Sequence, residues 1–263
     1  VQTTINYTDV GRVCAALAMQ APETLSAPVT AGATSIQVTP AVPADWQVGS
    51  TLVLDSANPT LRETVTITGP PSGQNVPVTA TANGHVLGAP VVNATIVAPY
   101  PGIASRAWDR WTYNKAGFGY EAWTDTKEGN ITNHGTIVVA LSKPLVVLSD
   151  VTSATFQPSP AAPAATVNLA HAWIKDDFIL EAMAPGSFFS RQGMAVVTYS
   201  GGYNPIPDDI ANAATVIAAR MYKERDSGYA DVIGNADTGI LEYKKAIPSD
   251  VLALVQAYRR WVP

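Results

Sequence analysis

Of the 16 basic and 21 acidic residues in this chain, 30 fall in 105–263 and three in 1–23. Only four, Asp45, Asp55, Arg62 and Glu63, remain for the whole of 24–104. That imbalance separates two modules. The charge-poor stretch is rich in Thr, Val, Ala and Pro. Its apolar residues alternate with polar ones over short runs, the period of a strand with one buried face. Strands are predicted over Ser35–Thr39, Thr51–Leu54, Glu63–Thr68, Val76–Thr81 and Pro90–Val97. Turn-forming clusters separate them: Val48-Gly49-Ser50, Asn58-Pro59, Gly69-Pro70-Pro71-Ser72-Gly73 and Asn83-Gly84. Short strands at this spacing predict a small antiparallel barrel or sandwich.

A short helix precedes this module. Thr8 is its predicted cap, with Asp9 in the first turn near the positive end of the helix dipole. Val10, Val13, Cys14 and Leu17 share one face, and Ala21-Pro22 ends the helix. Cys14 is the single cysteine, so no internal disulfide is available, and on that apolar face it reads as a buried, inert thiol.

From 105 to about 200 the pattern reads as strands and loops. Trp108, Trp111, Tyr113, Phe118, Tyr120 and Trp123 crowd one short segment, a density that suits either a core anchor or a contact surface. Strands are predicted over Gly135–Leu141, within Leu145–Phe156, and over Val167–Ile174, Asp177–Glu181 and Met194–Tyr199. Gln157–Ala165 reads as a Pro/Ala-rich surface loop. The C-terminal part turns helical. Asp208 caps a helix whose stripe is Ile210, Ala213, Ala214, Ile217 and Met221, and Ser249 caps a second with Val251, Leu254, Val255, Tyr258 and Val262. Between them, Arg225–Ala246 reads as a Gly/Asp-rich loop. The fold class expected is therefore α+β, with boundaries at 1–23, 24–104 and 105–263.

Several function classes find no support in this pattern. A net charge of −5 and a pI near 5.1 argue against a general nucleic-acid binder, which needs a basic surface. No apolar run reaches the roughly 18 residues of a membrane-spanning helix. Val1-Gln2-Thr3-Thr4 lacks a signal peptide's pattern. His85, His134 and His171 are widely spaced, without zinc-ligand spacing. There is no nucleophile elbow, phosphate loop or dinucleotide fingerprint. Asp237-Thr238-Gly239 matches the aspartic-protease tripeptide, but that chemistry needs two carboxylates sharing a proton, and one copy is present. The adjacent pairs Asp176-Asp177 and Asp208-Asp209 suit capping or solvent-facing roles, because neighbouring side chains do not converge on one bond. An enzyme is not expected, nor a cofactor or metal.

One ordered set of features does point to a family. Val196 to Tyr203 is a strand ending in a Gly201-Gly202 turn. It runs into Ile206-Pro207-Asp208-Asp209-Ile210-Ala211 and a helix ending Met221-Tyr222-Lys223-Glu224-Arg225. After the glycine-rich loop come Ile247-Pro248-Ser249-Asp250-Val251-Leu252-Ala253-Leu254 and Tyr258-Arg259-Arg260-Trp261. This order, over 8–22 and 135–263, resembles the head–tail connector, or head-completion adaptor, family of tailed bacteriophages. The resemblance implies a small helical core, one N-terminal and two C-terminal helices with a strand region, and leaves 24–104 as an inserted β module.

It also implies a non-enzymatic protein of the virion neck, assembled in the bacterial cytoplasm. Such a protein forms a ring, commonly of twelve copies, between the portal protein and the tail or stopper. DNA would pass through the ring without specific binding, and no membrane is involved. Tyr258, Arg259, Arg260 and Trp261 are the expected portal-docking tip, with Arg259 and Arg260 projecting from the apolar stripe. Arg225, Tyr229, Tyr243, Lys244 and Lys245 form the expected interface loop. The competing account of the two arginines is a favourable contact with the helix dipole, worth about 0.3–1 kcal/mol. Alternative functions are another neck or tail-completion protein, a glycan- or host-surface-binding β module, and a hydrolase using Asp237.

Overall fold

The computed structural model describes residues 5–19, 21, 23–132, 134–184, 192–226, 232–235, 240–243, 247 and 249–259. Among them the chain is α+β, with four α-helices, two curled antiparallel half-barrel sheets and one small hairpin. Val1–Ala107 with Asp209–Leu254 makes one compact unit, and Trp108–Asp208 with Val255–Pro263 makes a second.

In the first unit, β1 (Glu23–Leu25), β2 (Ser35–Thr39), β3 (Thr51–Leu54), β4 (Glu63–Thr66), β5 (Asn75–Pro77) and β6 (Pro90–Asn93) form a sheet in the order β4-β3-β6-β1-β2-β5. The alternation read from the sequence is the cause. In β2, Ile36 and Val38 are buried while Ser35, Gln37 and Thr39 are exposed. Register pairs Leu52 with Val65, Leu25 with Val38 and Ile36 with Val76, all in one apolar core that also takes Trp46. The sheet curls until its two edges meet. Ile67 bridges to Val78, and the amides of Thr68 and Thr79 donate to the carbonyls of Pro77 and Thr66.

Three of these strands are shorter than their sequence patterns predict. Beyond Thr66 and Pro77 the pairing thins to the Ile67–Val78 bridge and single backbone bonds, such as the Ile67 amide to Ser50 O and the Val78 amide to Thr34 O. β6 ends at Asn93 because that side chain accepts from the amide and hydroxyl of Thr95, turning the chain.

The N-terminal helix α1 covers Val10–Ala16 with Val13 and Cys14 buried. Its cap is Asp9, whose carboxylate accepts from the Arg12 amide at 2.8 Å, and not Thr8 as predicted. The Thr8 hydroxyl is committed elsewhere, 2.6 Å from that of Thr215. Helix α2, Tyr100–Trp111, stands where strands and loops were expected. Its signal is present in Ala104, Ala107, Trp108 and Trp111 at helical spacing, with Ala104, Ala107 and Trp108 buried. Pro101 and Gly102 beside a run of aromatic residues mask that signal. A proline in the first turn of a helix loses nothing, since its missing N–H has no partner there.

The second unit holds β7 (Glu121–Ile131), β8 (Thr136–Ala140), β9 (Val151–Gln157), β10 (Ala165–Thr166), β11 (Ala172–Asp176), β12 (Ile179–Met183) and β13 (Gln192–Gly201). Their order is β10-β9-β13-β7-β8-β12-β11. The two edge strands are consecutive in the chain. Six flat inter-strand steps of about 4.8 Å would part them by about 29 Å. The link from Thr166 to Ala172 spans at most about 21 Å. The sheet must therefore curl.

Its longest strand, β7, is absent from the sequence-based prediction. Its inward positions include the buried Asp125 and Gly129 rather than β-branched residues. Gly129 sits in tight packing: a Cβ there would meet Phe156 at 3.1 Å and Ala195 at 3.3 Å. Two further predicted strands are partly 3-10 turns. Leu148–Asp150 precedes β9, and Leu169–His171 precedes β11, the latter capped by the Asn168 side chain on the Ala170 amide.

Helices α3 (Asp208–Asp226) and α4 (Ser249–Tyr258) carry the predicted stripes as far as Tyr258, and Val262 lies outside the described residues. Ile210, Ala213, Ala214, Ile217, Val251 and Val255 are buried. In the segment expected to be a loop, Val232–Asn235 (β14) pairs with Ile240–Tyr243 (β15) as a hairpin. The runs Val232-Ile233 and Ile240-Leu241 are its β signal, outweighed in a residue count by the glycines and aspartates around them. Among the described residues, no helix is long and apolar enough to cross a membrane.

Candidate functional site

The two features that carry the family resemblance, the Gly-Gly turn and the end of α4, meet on one residue, Phe118. Strand β13 ends at Gly201, and Gly202 follows with φ of +119°. A Cβ at Gly202 would collide with the backbone of Gly119 and Tyr120, so the turn demands glycine for close approach as well as for its dihedral. The Gly202 amide donates to Pro144 O at 2.7 Å, and the Tyr203 amide donates to Phe118 O at 2.7 Å. The Tyr203 ring then stacks on Phe118 at 6.2 Å with an interplanar angle of 5°. From α4, Tyr258 meets the same Phe118 edge-on at 5.8 Å and Trp108 at 5.9 Å. Phe178 closes the cluster at 6.3 Å from Phe118. Such offset and edge-to-face pairs add about 0.5–1.5 kcal/mol each beyond burial.

The aromatic-rich segment divides between core and surface positions. Trp108 and Phe118 are core, whereas Tyr113 and Tyr120 are exposed. Arg259, the first residue beyond α4, donates from Nη2 to the Tyr113 hydroxyl at 2.7 Å, and its guanidinium lies 4.4 Å from the Tyr113 ring centroid. Tyr113 holds a left-handed φ of +57° just past α2, which aims its ring outward beside Arg259. The predicted tip residue Arg259 is thus exposed yet held in place, while Tyr258 is half-buried against the core residues Trp108 and Phe118. Arg260 and Trp261 lie outside the described residues. Of the expected interface loop, Arg225 is exposed near the end of α3 and Tyr243 ends β15; Tyr229, Lys244 and Lys245 lie outside the described residues.

A buried polar network fixes the segments that the Gly-Gly turn bonds to. Asp125 accepts from the Ser142 amide at 2.6 Å, the Ser142 hydroxyl at 2.5 Å and the Tyr199 hydroxyl at 2.8 Å. Lys143, 1% exposed, donates its amide to the Tyr199 oxygen and its ammonium to Gly119 O at 2.8 Å, and pairs with Glu121 at 2.9 Å. Burial pushes the Tyr199 phenol upward, so it stays a proton donor. A buried pair of this kind positions chain segments more than it adds net stability.

A second buried cluster lies in the first unit and was missed in the sequence. His85, 3% exposed, sits between two carboxylates: Nδ1 is 2.7 Å from Asp55 and Nε2 is 2.6 Å from Glu63. Burial alone would lower its pKa, but the hydrogen bonds and charges of Asp55 and Glu63 outweigh that and raise it above 6.5. Glu63 also accepts from the amides of Ala82 and Asn83. Spacing between histidines could not reveal this cluster. The available signal was that Asp55, Glu63 and His85 are most of the ionisable groups in a nearly uncharged module, and buried charges must pair. With both ring nitrogens engaged by carboxylates, the cluster is a clamp. Among the described residues, no group of three His, Cys, Asp or Glu side chains is arranged to hold a metal.

The remaining sequence candidates resolve locally. Asp176 accepts from the Phe178 amide, Asp177 from the Tyr203 hydroxyl, and Asp209 from the Ile210 amide. Asp237-Thr238-Gly239 lies outside the described residues. Cys14 is buried, and burial first of all, with Arg62 opposing, pushes its thiol to about 11.

Among the described residues the fold is α+β, with an exposed Arg259–Tyr113 pair and a buried polar network around Asp125 and Lys143. No protein-family model matches the chain, and no curated protein matches it.

Proposed function

We propose that this chain is a structural protein of a tailed-phage neck, an adaptor that joins the portal to the tail or stopper as a ring of identical copies. The observation that carries the reading is the meeting of Tyr203 and Tyr258 on Phe118. It draws the strand–Gly-Gly turn and the Tyr-Arg end of the last helix, 55 positions apart in sequence, into one built feature. In this reading Tyr258 anchors the end of α4, and Arg259 on Tyr113 presents a cationic, aromatic surface to the portal. Arginine and aromatic residues are the types most often found to dominate binding at interfaces. The mildly acidic balance of the chain suits a channel through which DNA slides, since fixed negative charge repels phosphate. No catalytic step is assigned to it.

The test is Arg259→Ala combined with Arg260→Ala in the full chain, followed by thermal unfolding and by co-sedimentation with purified portal particles. The expected result is at least tenfold weaker portal binding with an unchanged unfolding midpoint. Binding equal to that of the unaltered chain would overturn the docking role and leave the arginines to the helix dipole and Tyr113.

A further inference from the structure

The outer face of the second unit's sheet carries a groove of about 490 Å³ where three strands meet one loop. Its floor is a single rung. Register sets Met194 of β13 opposite Glu128 of β7 on one side and opposite Gln157 of β9 on the other. All three side chains point outward, because their chain neighbours Gly129, Ala195 and Phe156 are buried. The wall is the loop 158–160, and it is fixed in two ways. Gln157 Nε2 donates to Ala162 O at 2.9 Å and to Pro160 O at 3.4 Å. A Cβ at Gly193 would collide with Gln157 O and Pro158 Cα, so glycine is what lets the loop seat this closely on β13.

The groove is rich in hydrogen-bond acceptors and poor in donors. Glu128 is exposed, and among the described residues no cation pairs with it, the adjacent Lys127 being turned to Asp125. Pro158 and Pro160 have no N–H, so they add ring surface and carbonyls only. Both amide protons of Gln157 are used within the loop, which leaves its Oε1 as an acceptor. Met194 lies between Glu128 and Gln157, 40% exposed, and supplies an apolar, polarisable surface. Ser159 and Gln192 complete the lining and can serve as donor or acceptor.

We propose that this groove binds the side chain of an arginine presented by another protein chain. Phosphate and carboxylate ligands are disfavoured, because they bring acceptors of their own and would meet Glu128 charge against charge. A single lining carboxylate calls for a single cation. A polyamine, with several ammonium groups, would leave the others unanswered. Met194 and the two prolines call for an apolar stem behind the charge, which a metal ion lacks. Arginine and lysine side chains meet both demands, and arginine fits better. Its planar fork carries five N–H donors, two of which can meet one carboxylate, and its weakly hydrated face packs on apolar groups. Lysine offers a compact, strongly hydrated charge with three donors. The site is independent of the adaptor reading.

The test is nuclear magnetic resonance of the full chain labelled with methyl-carbon-13 methionine, the Met194 and Met183 signals being assigned through Met194→Leu and Met183→Leu. The probes are spermidine and end-blocked alanine pentapeptides with a central arginine, lysine or citrulline. The arginine peptide is expected to shift the Met194 signal saturably, while that of Met183, exposed on β12, stays in place. Glu128→Gln should weaken this binding by about threefold or more with an unchanged unfolding midpoint. Absence of a saturable Met194 shift overturns the proposal, as does an equal shift from the uncharged citrulline peptide or equal binding by Glu128→Gln. Lysine peptide binding as tightly as the arginine peptide overturns the choice of a guanidinium. Tighter binding of spermidine overturns the proposal in favour of a free polyamine.

Discussion

The hydroxyls of Thr8 and Thr215 lie 2.6 Å apart across 207 positions of sequence, both residues buried. Thr215 already donates to the Ala211 carbonyl at 2.8 Å, so its single proton is used and Thr8 is the donor between them. This bond ties the residue before the α1 cap to the middle of α3. Thr215→Val leaves the Thr8 hydroxyl buried without its acceptor, which should cost about 1–3 kcal/mol. Thr8→Val removes only the donor and should cost about 1 kcal/mol. Urea unfolding of both single variants and the double should show the pair to be coupled. Strictly additive losses would deny the contact.

The His85 clamp predicts a pH dependence with a definite sign. Its folded pKa is raised above the unfolded value of 6.5. The folded state therefore holds the proton more tightly. The stabilisation is full below about 6.5 and is lost as pH rises through the folded value. Stability measured by denaturant unfolding should fall on the alkaline side of 6.5, and His85→Gln should flatten that dependence. His85→Gln should itself cost about 3–5 kcal/mol, because it leaves two carboxylates with little exposure facing each other. An unchanged pH profile in the variant would contradict the assignment.

Gly202→Ala should be among the costlier single-methyl additions. Its φ of +119° and the backbone of Gly119 and Tyr120 both oppose a side chain, for a loss of about 3 kcal/mol or more. Gly135 has a φ of +75° but open space where a Cβ would sit, so Gly135→Ala should cost only about 1–2 kcal/mol. Thermal unfolding of the two variants compares them directly.

Cys14 should be silent. With its thiol pushed up to about 11 by burial, it is protonated and screened at pH 8. A thiol-specific chromogenic disulfide should label it only when denaturant is added. Labelling of the native chain at the denatured rate would show α1 to be open.

Much of the architecture was legible where one physical signal acted alone. Alternation located Ser35–Thr39 and Thr51–Leu54 to the residue, and helical stripes located α3 and α4. Errors arose where two signals competed. Tyr100–Trp111 combines a helical stripe with Pro, Gly and aromatic residues. Glu121–Ile131 is a strand because ten rungs to β13 and the Asp125 network hold it, neither of which is local. At the candidate site, Tyr258 and the Gly201-Gly202 turn were visible in the sequence. Their shared partner Phe118, and Tyr113 beneath Arg259, were visible only as members of an aromatic-rich segment. The His85 clamp joins residues 22 and 30 positions apart, and only a fold brings them together.

The proposed role is that of a ring joining portal and tail. Cryo-electron microscopy of a tailed-phage neck assembled with this chain is the most direct measurement. The account predicts this chain as a closed ring, twelvefold, seated against the portal with the end of α4 at the contact. A single copy or a trimer at that position, or a neck built without this chain, would contradict it.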